Sequence, residues 1–242
     1  MNILNPLTYD AEEDKLHERT KYSQMDRLLL PTEFQQQPVS TGTTIVAVEY
    51  DGGVIIGADT RTSSGTFVMN RFTDKLTPIT DRIFCLRSGS AADTQAIAQV
   101  VTYQLDFLSA EMNEPPLVRI AANCVRRLIY QYRDDFVAGM IVAGWDKKLG
   151  GQVYSCPLGG LLVRQRVSLG GSGSTYIWGY LDNNYRSNMT KQECLDFVLK
   201  GITLAITRDG SSGGCARLAI IDQNGVERID VFGNDLPKVF DL

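Results

Sequence analysis

The order of the apolar segments is the feature that most constrains the fold of this chain. From Thr43 onward, short runs rich in valine and isoleucine come first, and two long helical patterns follow them. Further strand-like runs, a second helical region and closing strands complete the chain. A doubly wound parallel sheet would need regular alternation of strand and helix. The sequence therefore predicts an α+β fold in which two antiparallel sheets are flanked by layers of helices.

Turn and capping residues mark where these elements begin and end. Asp51-Gly52-Gly53 joins "TTIVAVEY" to "VIIGADT", and Asn224-Gly225 interrupts the last apolar region, so both sites indicate β-hairpins. Two capping-box patterns and one proline pair indicate the helix ends: Ser90-Ala91-Ala92-Asp93, Thr190-Lys191-Gln192-Glu193 and Pro115-Pro116.

A boundary falls at Gly42, between a polar segment and the patterned part of the chain. Residues 1–42 show no sustained hydrophobic period and include the run Gln35-Gln36-Gln37-Pro38. Such a segment is expected to be flexible or to become ordered on a partner. The sequence thus predicts a dispensable segment, 1–42, followed by one folded domain, 43–242.

Composition excludes several classes of function. The formal net charge of −4 gives no global basic field, so we expect no binding to nucleic acid. No stretch approaches about 18 consecutive apolar residues, and the N-terminus lacks a secretory signal pattern, so no membrane association is expected. Five scattered cysteines without a CxxC pair favour reduced thiols. We expect a cytoplasmic and nuclear protein.

The single histidine, His17, restricts the possible catalytic chemistry. It lies in the polar N-terminal segment, where a solvated surface residue is the simplest interpretation. A Ser-His-Asp or Cys-His hydrolase needs a histidine beside its nucleophile, and a zinc site usually needs several His or Cys ligands. The sequence predicts no metal site and no cofactor, and any hydrolytic reaction must use another base.

Taken separately, the remaining polar motifs have structural explanations. "GGSGS" at 170–174 lacks the spacing of a P-loop or a dinucleotide site, which favours a tight turn. "RDGSSGG" at 208–214 is typical of a helix C-terminal cap and loop. Lys75 could be a surface lysine in a turn, and Asp59 could pair with Arg61.

Taken together with Gly42-Thr43, these motifs indicate a catalytic site. Cleavage of the Gly42–Thr43 peptide bond would give Thr43 a free α-amine, whose ordinary pKa of about 7.7–8.0 makes it a base near neutral pH. A Lys75 ammonium would lower the pKa of that amine and stabilise the alkoxide, and Asp59 would keep Lys75 charged and in place. The β-branch of threonine restricts χ1 and can fix the direction of Oγ.

The same motifs resemble those of catalytic β subunits of the eukaryotic 20S proteasome. The resemblance rests on "TGTTIVAVEYDGGVIIGADTR", "TDKLTPITDRIFCLRSGSAADTQ", "GGSGSTYIWGYLD" and "RDGSSGG", and extends from Thr43 to about Gly233. It is strongest to the caspase-like class. It implies the N-terminal nucleophile hydrolase fold, a four-layer αββα sandwich, with residues 1–42 as a propeptide removed autocatalytically between Gly42 and Thr43.

The resemblance also implies a role for each site residue. Thr43 would be the nucleophile, supported by Asp59 and Lys75. Ser172, Asp209 and Ser212 would orient the amine and the nucleophilic water. The Gly89 N–H would line the oxyanion hole. Extended substrate would pair with the backbone near Ser63, Gly89 and Ala91. 

Arg87 has two possible roles. By itself it could form an ion pair at a strand end. In the caspase-like class this position is basic and forms the floor of the pocket for the residue before the scissile bond, which favours acidic side chains. The inducible immune counterpart carries an apolar residue there, so "CLRSG" indicates the constitutive type.

The implied partners are the other α and β subunits, arranged in a barrel of stacked seven-membered rings with twenty-eight subunits in all. Assembly chaperones and unfolded polypeptide substrates are also implied, in ATP- and ubiquitin-dependent protein degradation. Two alternatives remain at this stage: a non-catalytic ring subunit that only builds the barrel, and an N-terminal nucleophile amidase acting on small molecules.

Overall fold

The structure, a computed structural model, describes residues 42–239. The strands are β1 (Ile45–Tyr50), β2 (Gly53–Asp59), β3 (Thr62–Ser64), β4 (Phe67–Asn70), β5 (Leu76–Thr80), β6 (Ile83–Gly89), β7 (Ala138–Asp146), β8 (Gly150–Cys156), β9 (Val163–Arg164), β10 (Val167–Gly170), β11 (Ala216–Asp222) and β12 (Gly225–Val231). The helices are α1 (Ala91–Met112), α2 (Val118–Gln131), α3 (Ser174–Asn184) and α4 (Lys191–Arg208), and a 3₁₀ turn covers Gly233–Asp235. The predicted segment 1–42 lies, except for Gly42, outside the described residues.

The longer strands form two five-stranded sheets. The first has the order β10-β1-β2-β11-β12 and the second the order β5-β6-β7-β8-β9. All strand pairs in both sheets are antiparallel. Strands β3 and β4 pair only with each other, as a separate hairpin.

The central strands are buried along most of their length, which explains their composition. All seven residues of β2 are buried, and β7 is buried at seven of its nine positions. A strand covered on both faces needs apolar side chains at consecutive positions rather than at alternate ones. The runs "VIIGAD" and "MIVAG" satisfy that requirement.

Three apolar clusters show that the chain has four layers. One cluster packs helices α1 and α2 against the second sheet, for example Val101 and Leu105 with Val142. Another lies between the two sheets. The third packs α3 and α4 against the first sheet, for example Ile202 with Leu218. The layers are therefore helix, sheet, sheet, helix, and the predicted αββα sandwich of the α+β class is confirmed.

The predicted helix caps are present, with one difference. At the start of α4, Thr190 and Glu193 form both hydrogen bonds of a capping box. At the start of α1, the Ser90 hydroxyl accepts a hydrogen bond from the Asp93 N–H at 3.4 Å, but the Asp93 carboxylate accepts from the Val137 N–H instead. The Asp93 side chain thus ties helix α1 to the segment before β7.

Both predicted hairpins are present, and the turns are two residues long. Tyr50 pairs with Gly53 across the first turn, and Asp222 pairs with Gly225 across the second. Sequence patterns did not predict β3, β4, β5, β9 or β10, which are short and largely exposed or at sheet edges. In the part of the chain that the structure describes, no helix is long and apolar enough to cross a membrane.

The first prediction concerns the core beneath α1. Leu105 is fully buried, and Leu105→Ala should lower the free energy of unfolding by about 2–5 kcal/mol because a cavity replaces the side chain. Urea unfolding of the chain measures this change. The matched control is Phe107→Ala on the same helix, which should change the value by less than about 0.5 kcal/mol because Phe107 is 67% exposed. Equal losses in both variants would contradict the assigned packing of α1.

Candidate active site

Five segments meet at one end of the sandwich around the Gly42–Thr43 peptide bond. Residues 42–44 lead into β1, and Asp59 ends β2. Lys75 immediately precedes β5. The loops before α3 and before β11 supply residues 171–173 and 209–214. In the first sheet, β1 pairs antiparallel with β2 and β10, and β2 pairs antiparallel with β11. This pairing brings the start of β1, the end of β2 and the loops next to β10 and β11 to the same end of the sheet.

Lys75 and Asp59 form a buried ion pair directed at the Gly42 carbonyl. The Lys75 Nζ lies 2.6 Å from Asp59 Oδ1 and donates a second hydrogen bond, 3.2 Å long, to Gly42 O. The Lys75 side chain is 5% exposed and Asp59 is fully buried. Burial lowers the pKa of Lys75, and the neighbouring Asp59 carboxylate opposes that shift. The alternative of a surface lysine is therefore wrong.

Backbone N–H groups saturate the Asp59 carboxylate. Oδ1 accepts from the Thr44 N–H at 2.8 Å, and Oδ2 accepts from the N–H groups of Gly213 at 3.0 Å and Arg61 at 3.2 Å. The Arg61 guanidinium instead donates to Gly210 O, so the contact between Asp59 and Arg61 that the sequence suggested runs through the backbone. These bonds fix the carboxylate to three separate segments.

Thr43 is held at three of its atoms. Its hydroxyl donates to Gly42 O at 2.7 Å, and its backbone N–H donates to Ser172 Oγ at 3.1 Å. Its carbonyl accepts from the Gly173 N–H at 3.1 Å. The hydroxyl therefore lies beside the carbonyl of the preceding residue, on the same oxygen that Lys75 contacts.

Asp209 connects the two serines. Ser172 Oγ and Ser212 Oγ donate to Asp209 Oδ2 at 2.7 and 2.6 Å, and the Ser211 N–H donates to Oδ1 at 3.0 Å. Burial by itself would raise the pKa of Asp209. The hydrogen bonds from the two serines and the Ser211 N–H, together with the Lys75 charge, outweigh burial and lower it. Asp209 is thus held as a carboxylate.

Two glycines are required by close approach to this site. A side chain at Gly42 would collide with the backbone of Ser211. Gly171 has a left-handed φ of +82°, and a side chain there would collide with the Thr43 carbonyl. The predicted tight turn at "GGSGS" is confirmed, and it brings the loop that carries Ser172 against Thr43.

Four further predicted residues lie around this centre. The Ser63 hydroxyl, on β3, accepts a hydrogen bond from the Gly42 N–H at 3.1 Å. Gly89 ends β6, and Ala91 opens helix α1. Arg87 lies within β6, and its Nη2 donates to Asp74 O at 2.9 Å. Arg87 therefore contacts a backbone carbonyl rather than forming the strand-end ion pair that was its alternative.

Sequence reasoning missed two residues of the site. Thr44 is fully buried, and its hydroxyl lies 2.7 Å from Ser212 Oγ. Gly213 supplies one of the N–H groups that bind Asp59. The pair of threonines after Gly42 could have indicated Thr44. Gly213 acts through its backbone N–H, which no pattern of side chains indicates.

Comparison with known proteins agrees with this geometry. The family model for "Proteasome subunit" matches residues 39–221. The chain belongs to the proteasome β-subunit family. "Proteasome subunit beta type-6" of Dictyostelium discoideum is 53% identical over 209 residues, which cover 86% of this chain and 98% of the relative. "Proteasome subunit beta type-9" is 53% identical in Mus spicilegus, covering 86% of this chain and 94% of the relative, and 53% identical in Homo sapiens, covering 84% and 92%.

Membership of the family establishes the fold and the general activity. The αββα sandwich is the N-terminal nucleophile hydrolase fold, and proteasome β subunits are threonine endopeptidases. The chain is therefore a hydrolase of the proteasome core particle, where it assembles with other proteasome subunits. Within residues 42–239, no group of three His, Cys, Asp or Glu side chains could hold a metal ion.

The pKa of Asp209 predicts a dependence of stability on pH. Because the folded pKa lies below the ordinary value of 3.8, the carboxylate stabilises the fold above that pH, and this contribution is lost as the pH falls through the folded pKa. Asp209→Asn should therefore be less stable than the native chain above about pH 5, and the difference should shrink below 3.8.

Urea unfolding of both chains from acid to neutral pH tests this dependence. Asp182→Asn, an exposed residue on α3, is the control and should change the unfolding free energy by less than about 0.5 kcal/mol. A difference between native and Asp209→Asn that stays constant over the whole range would contradict the assignment.

Proposed function

We propose that this chain is the caspase-like threonine endopeptidase subunit of the 20S proteasome, and that it releases its own nucleophile by autolysis between Gly42 and Thr43. One observation carries the proposal. The Thr43 hydroxyl and the Lys75 ammonium both contact the oxygen of the Gly42 carbonyl, at 2.7 and 3.2 Å. A nucleophile and a positive charge therefore converge on the bond that is to be broken.

Autolysis begins with attack of Thr43 Oγ1 on the Gly42 carbonyl carbon. The Lys75 ammonium stabilises the negative charge that develops on the carbonyl oxygen. The C–N bond then breaks, the hydroxyl proton ends on the Thr43 nitrogen, and the acyl group is left as an ester on Oγ1. Water hydrolyses that ester, which releases residues 1–42 with a Gly42 carboxylate and restores the Thr43 hydroxyl.

The product of autolysis contains the base that the chain otherwise lacks. The Thr43 nitrogen changes from an amide to an amine and can accept a proton from its own hydroxyl, directly or through water. Ser172 Oγ already accepts an N–H from this nitrogen, so the freed amine is held at the same position. General-base assistance of this kind is worth about 10²–10⁴ in rate.

Peptide hydrolysis then proceeds through a covalent intermediate. Thr43 Oγ1 attacks the substrate carbonyl, the amine leaves with a proton, and water hydrolyses the resulting ester. We assign the oxyanion hole to the Gly89 N–H, a contribution of about 2.7–4 kcal/mol in enzymes of this type. Asp209, Ser172 and Ser212 orient the Thr43 amine and the water.

Arg87 supports the preference for acidic residues. Its Nε is buried and has no hydrogen-bond partner among the described residues, while Nη2 is held by Asp74 O. Burial lowers the pKa of Arg87, and Asp74 opposes that shift. A carboxylate in the pocket would pair with the Arg87 guanidinium through a charge-assisted hydrogen bond. Because relatives named beta type-6 and beta type-9 are equally identical to this chain, overall identity does not decide specificity, and the proposal of an acidic preference is supported by Arg87 alone.

The contact between Ser63 and Gly42 supports the proposed substrate path. Gly42 occupies the position of the residue before the scissile bond, and its N–H is bound by the Ser63 hydroxyl. Extended substrate would follow the same path, adding as a strand along the backbone near Ser63, Gly89 and Ala91.

Exposed apolar side chains support assembly into a ring. Phe67 and Met69 on the β3–β4 hairpin are 76% and 70% exposed, and Tyr103 on α1 is 75% exposed. Apolar surface of this kind marks protein–protein contacts. We propose a barrel of stacked seven-membered rings with the other α and β subunits, built with assembly chaperones, in the cytoplasm and the nucleus.

Replacement of the nucleophile tests the mechanism. Thr43→Ala should abolish both removal of residues 1–42 in cis and cleavage of fluorogenic peptides with an acidic residue before the scissile bond. Intact mass of the subunit and peptide assays on assembled particles measure the two effects. Thr43→Ser, which keeps the hydroxyl, should retain both reactions. Undiminished cleavage by Thr43→Ala particles would refute the proposed function.

Replacement of Arg87 tests the specificity. Arg87→Leu should shift the preference from acidic towards branched apolar residues, because the partner for the substrate carboxylate is lost. The ratio of kcat/KM for acidic and apolar peptides measures the shift. Arg82→Leu is the matched control, since Arg82 precedes β6 and lies over the Trp145 ring. An unchanged ratio in Arg87→Leu would assign Arg87 a structural role.

A further inference from the structure

Thr44 lies directly behind the nucleophile and is fully buried. Its backbone is fixed on both sides, since its N–H donates to Asp59 Oδ1 at 2.8 Å and its carbonyl accepts from the Asp59 N–H at 3.1 Å. Its hydroxyl lies 2.7 Å from Ser212 Oγ. The mechanism above does not use this hydroxyl.

The direction of the hydrogen bond between Thr44 and Ser212 follows from the charge on Asp209. An ionised carboxylate can only accept, so the single proton of Ser212 must point to Asp209 Oδ2, 2.6 Å away. Ser212 Oγ can then only accept from the Thr44 hydroxyl. The proton order is therefore Thr44 to Ser212 to Asp209.

The same reasoning determines the direction of the hydrogen bonds at Ser172. Ser172 Oγ lies 2.7 Å from Asp209 Oδ2 and 3.4 Å from Thr43 O, and its single proton goes to the nearer, charged acceptor, so towards the Thr43 nitrogen it can only accept. The Thr43 nitrogen is accordingly held by an N–H directed at Ser172 Oγ. In the processed enzyme, this arrangement leaves the lone pair of the amine free for the proton of Thr43 Oγ1.

Thr44 also contacts the loop that carries Ser172. The space beside Gly173 is filled by Thr44 Oγ1, and a side chain at Gly173 would collide with that oxygen and lie 2.9 Å from Ser212 Oγ. The hydroxyl of Thr44 is thus enclosed by the loop before α3 and the loop before β11, the two loops that hold the Asp209 network.

We propose that Thr44 is a positioning residue for the hydrolysis at Thr43: its hydroxyl donates to Ser212 and strengthens the hydrogen bond from Ser212 to Asp209, which holds Asp209, and through it Ser172, in the position that orients the Thr43 amine. The inference rests on the proposed function of Thr43. In a chain of hydrogen bonds each donor strengthens the next, so loss of the first donor weakens the hold on the carboxylate. Because Thr44 does not face the substrate side of Thr43, the loss should appear in kcat rather than in KM.

Assembled particles containing variant subunits test this role. Thr44→Val keeps the shape and removes the donor, and we expect kcat for an acidic-site peptide to fall about three- to tenfold, as for loss of one hydrogen bond, with little change in KM. Thr44→Ser keeps the donor and should restore kcat to within about twofold of the native value. Rates are divided by the amount of processed subunit, measured by intact mass.

A double-mutant cycle separates positioning from packing. If Thr44 acts through Ser212, then Thr44→Val should change kcat by less than about twofold in a Ser212→Ala background. Three results would overturn the proposal. The first is a double variant in which the two effects on kcat multiply. The others are a native kcat in Thr44→Val and a kcat in Thr44→Ser as low as that of Thr44→Val. Should Thr44→Val subunits fail to enter particles, Thr44→Ala, which also removes the hydroxyl donor, replaces it under the same criteria.

The same assay includes Thr43→Ala, so that the two failures can be told apart. Cleavage by Thr43→Ala particles would refute the proposed function. An inactive Thr43→Ala together with a fully active Thr44→Val would refute only the role of Thr44.

Discussion

The buried ion pair between Lys75 and Asp59 is the interaction on which the rest of the site depends. Taking two charges out of water costs roughly several kcal/mol per ion, and the mutual attraction offsets that cost only where the remaining lone pairs are satisfied. Asp59 meets this condition because the N–H groups of Thr44, Arg61 and Gly213 bind its two oxygens. These donors come from the entry to β1, the end of β2 and the loop before β11. The pair is therefore stable only where those segments are packed together, so the site depends on the first sheet.

This arrangement also explains how a hydrolase can work without a histidine. Lys75 donates hydrogen bonds to Asp59 and to the Gly42 carbonyl, and in the proposed mechanism it places positive charge on that carbonyl oxygen. Asp209 is held as a carboxylate by serine and backbone donors. In the proposed mechanism the amine at Thr43 is the group that gains and loses a proton near neutral pH, and cleavage of the Gly42–Thr43 peptide bond would create it.

Much of the fold and of the site could be predicted from the sequence, for identifiable reasons. The long apolar runs of β2 and β7 and the cap at Thr190 are local signals, and the corresponding elements form as predicted. Strands such as β3 and β9 are too short for a period to be visible, and they depend on tertiary pairing. Thr43, Asp59 and Lys75 were predicted together because a missing base had to be supplied, whereas the roles of the other site residues were implied by the family resemblance.

What the sequence could not give were the contacts made by the backbone and the direction of individual protons. The N–H of Gly213 binds Asp59 only because the loop before β11 turns towards β2, and no residue type signals that. The incomplete capping box at Ser90 could not be predicted for the same reason. The Asp93 carboxylate accepts a hydrogen bond from the Val137 N–H because α1 packs beside β7. In both cases the deciding partner is distant in the chain.

The tight space at Gly42 has a consequence for how such a subunit could diverge. Steric exclusion against Ser211 limits the residue at position 42, whereas under the proposed function the charge of Arg87 would select the corresponding residue of a substrate. Self-processing and cleavage of other polypeptides would then depend on different residues of the same site. A lineage could replace Arg87 at the floor of the pocket, and so change the substrate preference of the enzyme, while each newly made chain would still be cleaved after Gly42.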